Sequence, residues 1–294
     1  MIFNSPVYPI PPSFKNEELE FNSTLKYLKY LDSKGAKIIM STAGTSQYNL
    51  LSQEEIRNFN LTLYNFPGKK ILGIPPLSLA HIKQEITFYN ELSDVYLLIL
   101  FPERYYDNEQ IVEYFQEICS LSKHPILVHG NSLRKGYGGV YEYDFTLLKE
   151  LSKIKGFIGM KEESSTLGFS MNNISNLDLE IIVAGGSMRR FWSLEPFGAT
   201  TYLAGVGSFN PKIEEKFYEF YKKGELEKAK SIVKNIETPL FNTYMKIGWH
   251  ASMRESLHQM GFLLENRKPF VEKSSSFLKI IDEISSNMYG ATAV

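Results

Sequence analysis

Residues 156–165 read GFIGMKEESS. Phe157, Ile158 and Met160 make an apolar run interrupted by Gly156 and Gly159, the pattern of a short buried strand. The run ends on Lys161, with Glu162 and Glu163 behind it. Lysine is among the residues least often buried without a partner. One placed where a strand leaves the core reaches solvent, pairs with a neighbouring glutamate, or does chemistry.

Similar runs recur on both sides: SPVYPI (5–10), AKIIM (36–40), KKILGI (69–74), VYLLILF (95–101), PILVH (125–129), EIIVA (180–184) and TYLAGV (201–206). Most are continuously apolar, as expected of parallel strands covered on both faces. Helix signals lie between them. SQEE at 52–55 matches a capping box, Asn22 or Ser23 suits the N-cap of a helix closed by Gly35, and Asn210-Pro211 opens another. Alternating strands and helices make the class α/β. The count of eight favours a closed (β/α)8 (TIM) barrel, with an open doubly wound sheet as the alternative. Strand runs stop near residue 223, and the rest reads as helices, including VEKSSSFLKIIDEISSNMYG. The expected division is a barrel over 1–223 and a helical C-terminal region over 224–294.

The composition narrows the partners. A formal charge of −1 over 294 residues gives no global attraction to nucleic acid or to an anionic membrane. Cys119, the one cysteine, excludes an intramolecular disulfide and fits a reducing cytoplasm. No stretch approaches the ~20 apolar residues of a membrane span, and MIFNSPVYPI lacks the parts of a secretory signal. There is no HExxH, no Cys/His cluster and no P-loop, so neither a metal nor a nucleotide cofactor is expected.

In a barrel the active site forms where the C-terminal strand ends meet. Those ends carry Ser41, Thr42 and Gly44; Tyr105 and Tyr106; His129 and Arg134; Lys161; Gly185, Gly186 and Ser187; and Gly205 and Gly207. Lys161 in an apolar mouth would be desolvated, which favours the neutral amine that attacks a carbonyl to form a Schiff base. His129 ends a strand and is the histidine expected to function. His81, His124, His250 and His258 read as packing or surface residues. The glycines are open to a blander reading as tight turns.

GFIGMKEESS resembles the Schiff-base lysine segment of the dihydrodipicolinate synthase / N-acetylneuraminate lyase family, and the likeness runs along nearly the whole chain. PSFKNEELEFNSTLKYLKYLDSKGAK (12–37) is similar to the family's opening strand, loop and first helix. STAG (41–44) falls on its Gly-Thr-Thr-Gly-like turn, LSQEE on the helix start after it, and PILVH on its fifth strand. AGGS (184–187) and FGATTYLAGVGSFNP (197–211) fall on its last two strands. The resemblance implies a barrel with C-terminal helices and a cofactor-free, metal-independent aldolase type of chemistry on pyruvate or a 2-oxo acid and an aldehyde. It also implies a homo-oligomer, dimer or tetramer. Lys161 would be the imine-forming residue and Thr42 part of a hydroxyl relay. Backbone N–H groups of Ser41, Ala43 and Gly44 would cradle a carboxylate, and Arg134 would sit near a second one. The glycines and Ser187 after the seventh and eighth strands would shape the pocket.

The sequence also departs from the family pattern. His129 stands where a relay tyrosine is usual, and Ala43 replaces a neighbour that commonly helps hold the substrate carboxylate. After the fourth strand, PERYY replaces the usual Pro-Tyr-Tyr. Two other functions compete. AGGSMRR and LAGVG could cradle a phosphate, as in many barrels, which leaves Lys161 without a role. A barrel that has lost its chemistry could bind or regulate, and the missing tyrosine and Ala43 are the features in its favour.

Overall fold

The computed structural model describes residues 1–267 except 76–77, 101–106, 132–142, 165 and 247. Tyr105, Tyr106, Arg134 and the helix expected at 271–290 lie outside the described residues.

All eight strand candidates join one parallel sheet: β1 (Val7–Pro9), β4 (Ile38–Met40), β5 (Lys69–Ile74), β6 (Val95–Leu100), β7 (Ile126–Asn131), β8 (Phe157–Glu163), β9 (Glu180–Val183) and β10 (Thr201–Tyr202). The sheet runs in chain order and closes. Val7 bridges to Leu203 just past β10, and the Ala204 N–H donates to the Val7 carbonyl at 2.8 Å. Helices α1 (Phe21–Ser33), α2 (Gln53–Leu63), α3 (Leu79–Tyr89), α4 (Asn108–Leu121), α5 (Phe145–Leu151), α6 (Leu167–Ile174), α7 (Ser187–Leu194) and α8 (Pro211–Lys222) follow successive strands. Alternate side chains divide between two apolar cores. Ile38, Met40, Leu98, Leu127 and Ile182 fill the barrel interior. Ile39, Leu97, Ile99, Val128 and Val183 face the helices with Leu28, Phe59, Ile86 and Phe115.

A short hairpin, β2 (Phe14–Lys15) with β3 (Glu18–Leu19), precedes α1 and has no counterpart in the strand runs of the sequence. Its turn puts Asn16 and Glu17 at φ of 51° and 67°. The hairpin brings Glu20 to the start of α1. Its carboxylate accepts the N–H groups of Asn22 and Ser23 at 3.0 and 2.7 Å, so the N-cap is Glu20 and not Asn22 or Ser23. The Ser52–Glu55 capping box is present. Asn210 and Pro211 open α8, although the Asn210 side chain makes no capping bond. Past α8, α9 (Leu226–Ile232), one π-helical turn (Val233–Glu237), α10 (Thr238–Tyr244) and α11 (Trp249–Gln259) follow. Ala229, Leu240, Tyr244 and Leu257 belong to the same apolar core as the outward side of the barrel. No helix among the described residues is long and apolar enough to cross a membrane.

One irregularity sets the direction of every side chain at the end of β8. Ile126 pairs with Phe157, but Leu127 pairs with Gly159, so Ile158 is an extra residue on β8. From there Leu127, His129, Gly159, Lys161 and Glu163 share the interior face, while Val128, Met160 and Glu162 face outward. Gly159 is required. A Cβ there would lie 2.0 Å from the Glu180 carbonyl oxygen, inside backbone that cannot yield.

Three buried glutamates tie the strand ends to the surrounding helices. Glu162 accepts the Ser164 N–H at 2.9 Å, the Ser170 hydroxyl at 2.7 Å and the Arg190 guanidinium at 3.0 Å, joining β8 to α6 and α7. Glu214 of α8 accepts the Tyr202 hydroxyl at 2.6 Å and the Gly205 and Gly207 N–H groups at 3.0 Å each. Glu237, in the π-helical turn, accepts the Arg189 N–H at 3.2 Å in the first turn of α7. Burial pushes the Glu214 carboxyl up to about 7, against its hydrogen bonds from Tyr202 and the two glycine amides. Burial pushes Glu237 up to about 8, with the Glu214 charge adding and the Arg189 charge opposing. The folded state therefore holds the Glu237 proton more tightly than the unfolded chain does. Its contribution to stability is full below about pH 4.5 and is lost as pH rises from there to about 8. Glu237→Gln cannot ionise. Urea midpoints should thus show the variant gaining on the wild type between pH 5 and 8, by at most about 1.4 kcal/mol per pH unit. A constant difference over that window would remove the assignment.

Candidate active site

The C-terminal strand ends and helices α10 and α11 enclose a cavity of about 380 Å³, within the size range of small-molecule sites. Of the residues singled out from the sequence, Thr42, Gly44, His129, Lys161, Gly185, Gly186, Ser187 and Gly205 line it. Ser41 and Ala43 are not among the lining residues. The Ser41 hydroxyl donates to Asn60 Oδ1 at 2.7 Å and accepts the Gly73 N–H at 2.8 Å, holding β4, α2 and β5 together.

His129 and Lys161 are register partners on adjacent strands and face the same way. Each is only 2 % exposed, and Lys161 Nζ lies 2.7 Å from His129 Nε2. Glu163, two residues on and on the same face, places Oε2 2.6 Å from Lys161 Nζ and 2.9 Å from His129 Nε2. Burial pushes the Glu163 carboxyl up, but the Lys161 charge and the hydrogen bond and charge of His129 outweigh it. Together they hold Glu163 well below the usual carboxylate range.

Three groups this close are placed so that one proton could pass between them. His129 Nε2 accepts a proton from Lys161 or donates one to Glu163, and it cannot do both at once. With the proton on lysine, the ion pair is Lys161–Glu163. With the proton passed to histidine, Lys161 is a free amine and the ion pair is His129–Glu163. One carboxylate serves as counter-ion to both states, so the transfer separates no charge. The structure shows the pairing of Lys161 with a glutamate that the sequence allowed.

The turn after β4 forms the facing wall. Ser46 accepts the Thr42 N–H at 3.0 Å, so that amide is engaged within the turn. Thr42, Gly44 and Thr45 line the cavity. Gly44 is packed so closely that a Cβ there would lie 3.0 Å from His250 Nε2. His250, read from the sequence as a packing or surface residue, lines the cavity from α11 with Trp249 while part of its surface stays exposed to solvent. Burial pushes the His250 imidazole down, with the Glu163 charge opposing and the charges of Lys161 and Arg254 adding. Phe241 and Met245 add the α10 side of the wall, and Arg189 projects from α7. Apart from Arg189, which lies in AGGSMRR, nothing in sequence spacing marks these residues, because α10 and α11 meet the mouth only through tertiary packing. Glu163 carried a local signal, its parity with Lys161 along the strand, and KEE could be read as a solvated cluster or as the strand-end pair it proves to be.

Three of the amides in the phosphate cradle that AGGSMRR and LAGVG could form are already taken. Glu237 takes the Arg189 N–H, and Glu214 takes those of Gly205 and Gly207. An anion there would have to displace a buried carboxyl.

The model of the Dihydrodipicolinate synthetase family matches residues 100–286, more than half of the chain. The 4-hydroxy-tetrahydrodipicolinate synthase of Wigglesworthia glossinidia brevipalpis is 29% identical over 173 residues, covering 57% of this chain and 56% of that protein. Among solved structures, dihydrodipicolinate synthase from Thermotoga maritima superimposes with a TM-score of 0.84 at 19% identity, over 97% of this chain and 98% of that one. N-acetylneuraminate lyase from Mycoplasma synoviae gives 0.80 at 17% identity, over 97% and 98%. The structural matches establish the barrel, and the sequence match over the half that carries β7 to α11 establishes descent. The chain belongs to the dihydrodipicolinate synthetase family.

Proposed function

We propose that this protein is a Schiff-base lyase or synthase of the aldolase type, acting on pyruvate or a similar 2-oxo acid and an aldehyde. The observation that carries the reading is the interior-facing Lys161 amine, with a proton acceptor and a permanent counter-ion both in hydrogen-bond contact. A lysine buried only for structure needs a counter-ion but not an imidazole within 2.7 Å as well.

In this reading, His129 takes a proton from Lys161 and the free amine adds to C2 of the oxo acid. His129 returns the proton to the departing hydroxyl, water leaves, and the protonated imine keeps Glu163 as its counter-ion. Loss of a C3 proton gives an enamine whose C3 attacks the aldehyde carbon, forming the new C–C bond. The aldehyde oxygen is protonated, and water then adds to the imine and frees Lys161. The same steps reversed cleave the bond. The free amides of the turn after β4 suit the oxo acid's carboxylate, and the Thr42 hydroxyl is available to relay protons.

Pyruvate with borohydride should fix a three-carbon acid on Lys161, read by peptide mass spectrometry, and Lys161→Ala should carry no label. Labelling of a different lysine would overturn the assignment. His129→Asn keeps a hydrogen-bonding side chain but removes the proton transfer, so turnover should fall on the order of 10²–10⁴-fold. The wild-type pH–rate profile should carry a limb near neutrality, where an imidazole titrates at ~6.5 before perturbation, and the variant should lack it. If His129→Asn kept both the rate and the limb, the relay would lie elsewhere.

A further inference from the structure

We infer that His250 is a second acid–base group of the site: its imidazole takes the C3 proton of the imine and returns it to the aldehyde oxygen. This rests on the Schiff-base reading of the same cavity and names the residue for two proton transfers that His129 leaves open.

The proton carriers lining the cavity carry the argument. Among the described lining residues the groups that could move a proton as acid or base are Lys161, His129, Glu163, Arg189 and His250. Lys161 is consumed in the imine. His129 Nε2 is committed to Lys161 Nζ and Glu163 Oε2, at 2.7 and 2.9 Å. Glu163, despite its burial, is held well below the usual carboxylate range by Lys161 and His129, which makes it a poor base. An arginine stays protonated in proteins. His250 is the base that remains, and among the described residues neither of its ring nitrogens has a hydrogen-bond partner.

Its place in the fold suits the task. Strands β4 and β8 lie opposite one another in the barrel, with β5, β6 and β7 between them one way and β9, β10 and β1 the other. Lys161 rises from β8. His250 lies against the turn after β4, so close that a Cβ on Gly44 would sit 3.0 Å from Nε2 and 3.1 Å from Cε1. The two side chains therefore approach the cavity from opposite sides. C3 of an imine on Lys161 has to be turned to the mouth, because the aldehyde arrives there. Part of the His250 surface is open to solvent, so a proton it carries exchanges with water. Burial pushes the imidazole down, against the Glu163 charge and helped by those of Lys161 and Arg254, so at neutrality it is the free base.

The electrons balance with this one group. His250 takes the C3 proton, the C–H pair becomes the C2–C3 double bond, and the imine pair moves onto nitrogen. The enamine C3 then attacks the aldehyde carbon, whose C–O pair moves to oxygen, and the imidazolium protonates that oxygen.

The first half of the cycle needs no aldehyde and can be read alone. With pyruvate in D2O, wild-type enzyme should exchange the methyl protons, followed as loss of the methyl signal in proton NMR. His250→Ala should slow that exchange on the order of 10²–10⁴-fold, yet still give the borohydride adduct on Lys161. Added imidazole, entering the space left beside Gly44, should restore exchange in His250→Ala. Exchange as fast in His250→Ala as in the wild type overturns the inference. So does a wild type that traps pyruvate without exchanging it, a variant that loses the adduct together with the exchange, or a loss that imidazole does not repair. A wild type that traps nothing brings down the Schiff-base reading and this inference with it, whereas each of the other failures leaves that reading standing.

Discussion

The single extra residue in β8 is the constraint on which the rest of the site depends. Side chains alternate along a strand, so a shift of one residue exchanges the two faces. Without the bulge at Ile158, Lys161 and Glu163 would point into the apolar shell between strands and helices, and Glu162 into the mouth. With it, Lys161 meets its register partner His129, while Glu162 turns outward to the guanidinium of Arg190. Two adjacent glutamates acquire opposite environments from one backbone irregularity. Gly159 permits the close strand approach beside it.

Buried carboxyls then fix the loops that this geometry needs. Glu162, Glu214 and Glu237 each accept hydrogen bonds from backbone N–H groups or side chains of a different element. Loops at strand ends otherwise leave such donors to water, and each one buried without a partner costs about 1–3 kcal/mol. Glu214 and Glu237, from the helices behind the barrel, fill that role for the Gly205, Gly207 and Arg189 amides after β9 and β10.

The barrel was legible in the sequence because its strands are continuous apolar runs separated by capped helices. All eight runs became strands, and β5 matches its run residue for residue. Lys161 and His129 were legible because each closes such a run. What escaped was set by tertiary geometry. The Ile158 bulge has no sequence mark beyond a glycine, so the facing of Glu163 could not be read. The hairpin at Phe14–Leu19 has strands of two residues, too short for periodicity, and it moved the cap of α1 to Glu20. His250 and Trp249 enter the cavity from a helix whose approach to the barrel mouth is fixed by packing alone.

The wall built from α10 and α11 has a consequence for the order in which the site is made during translation. Lys161 and His129 are synthesised well before Phe241, Trp249 and His250 emerge. The helix that carries the last two is fastened to the beginning of the chain: Arg254 donates to the Pro12 carbonyl at 2.8 Å. A nascent chain ending at β10 holds the eight strands of the barrel but lacks the α10 and α11 side of the cavity, along with the Glu237 brace on α7. Lys161 is thus made well before the residues of α10 and α11 that enclose it.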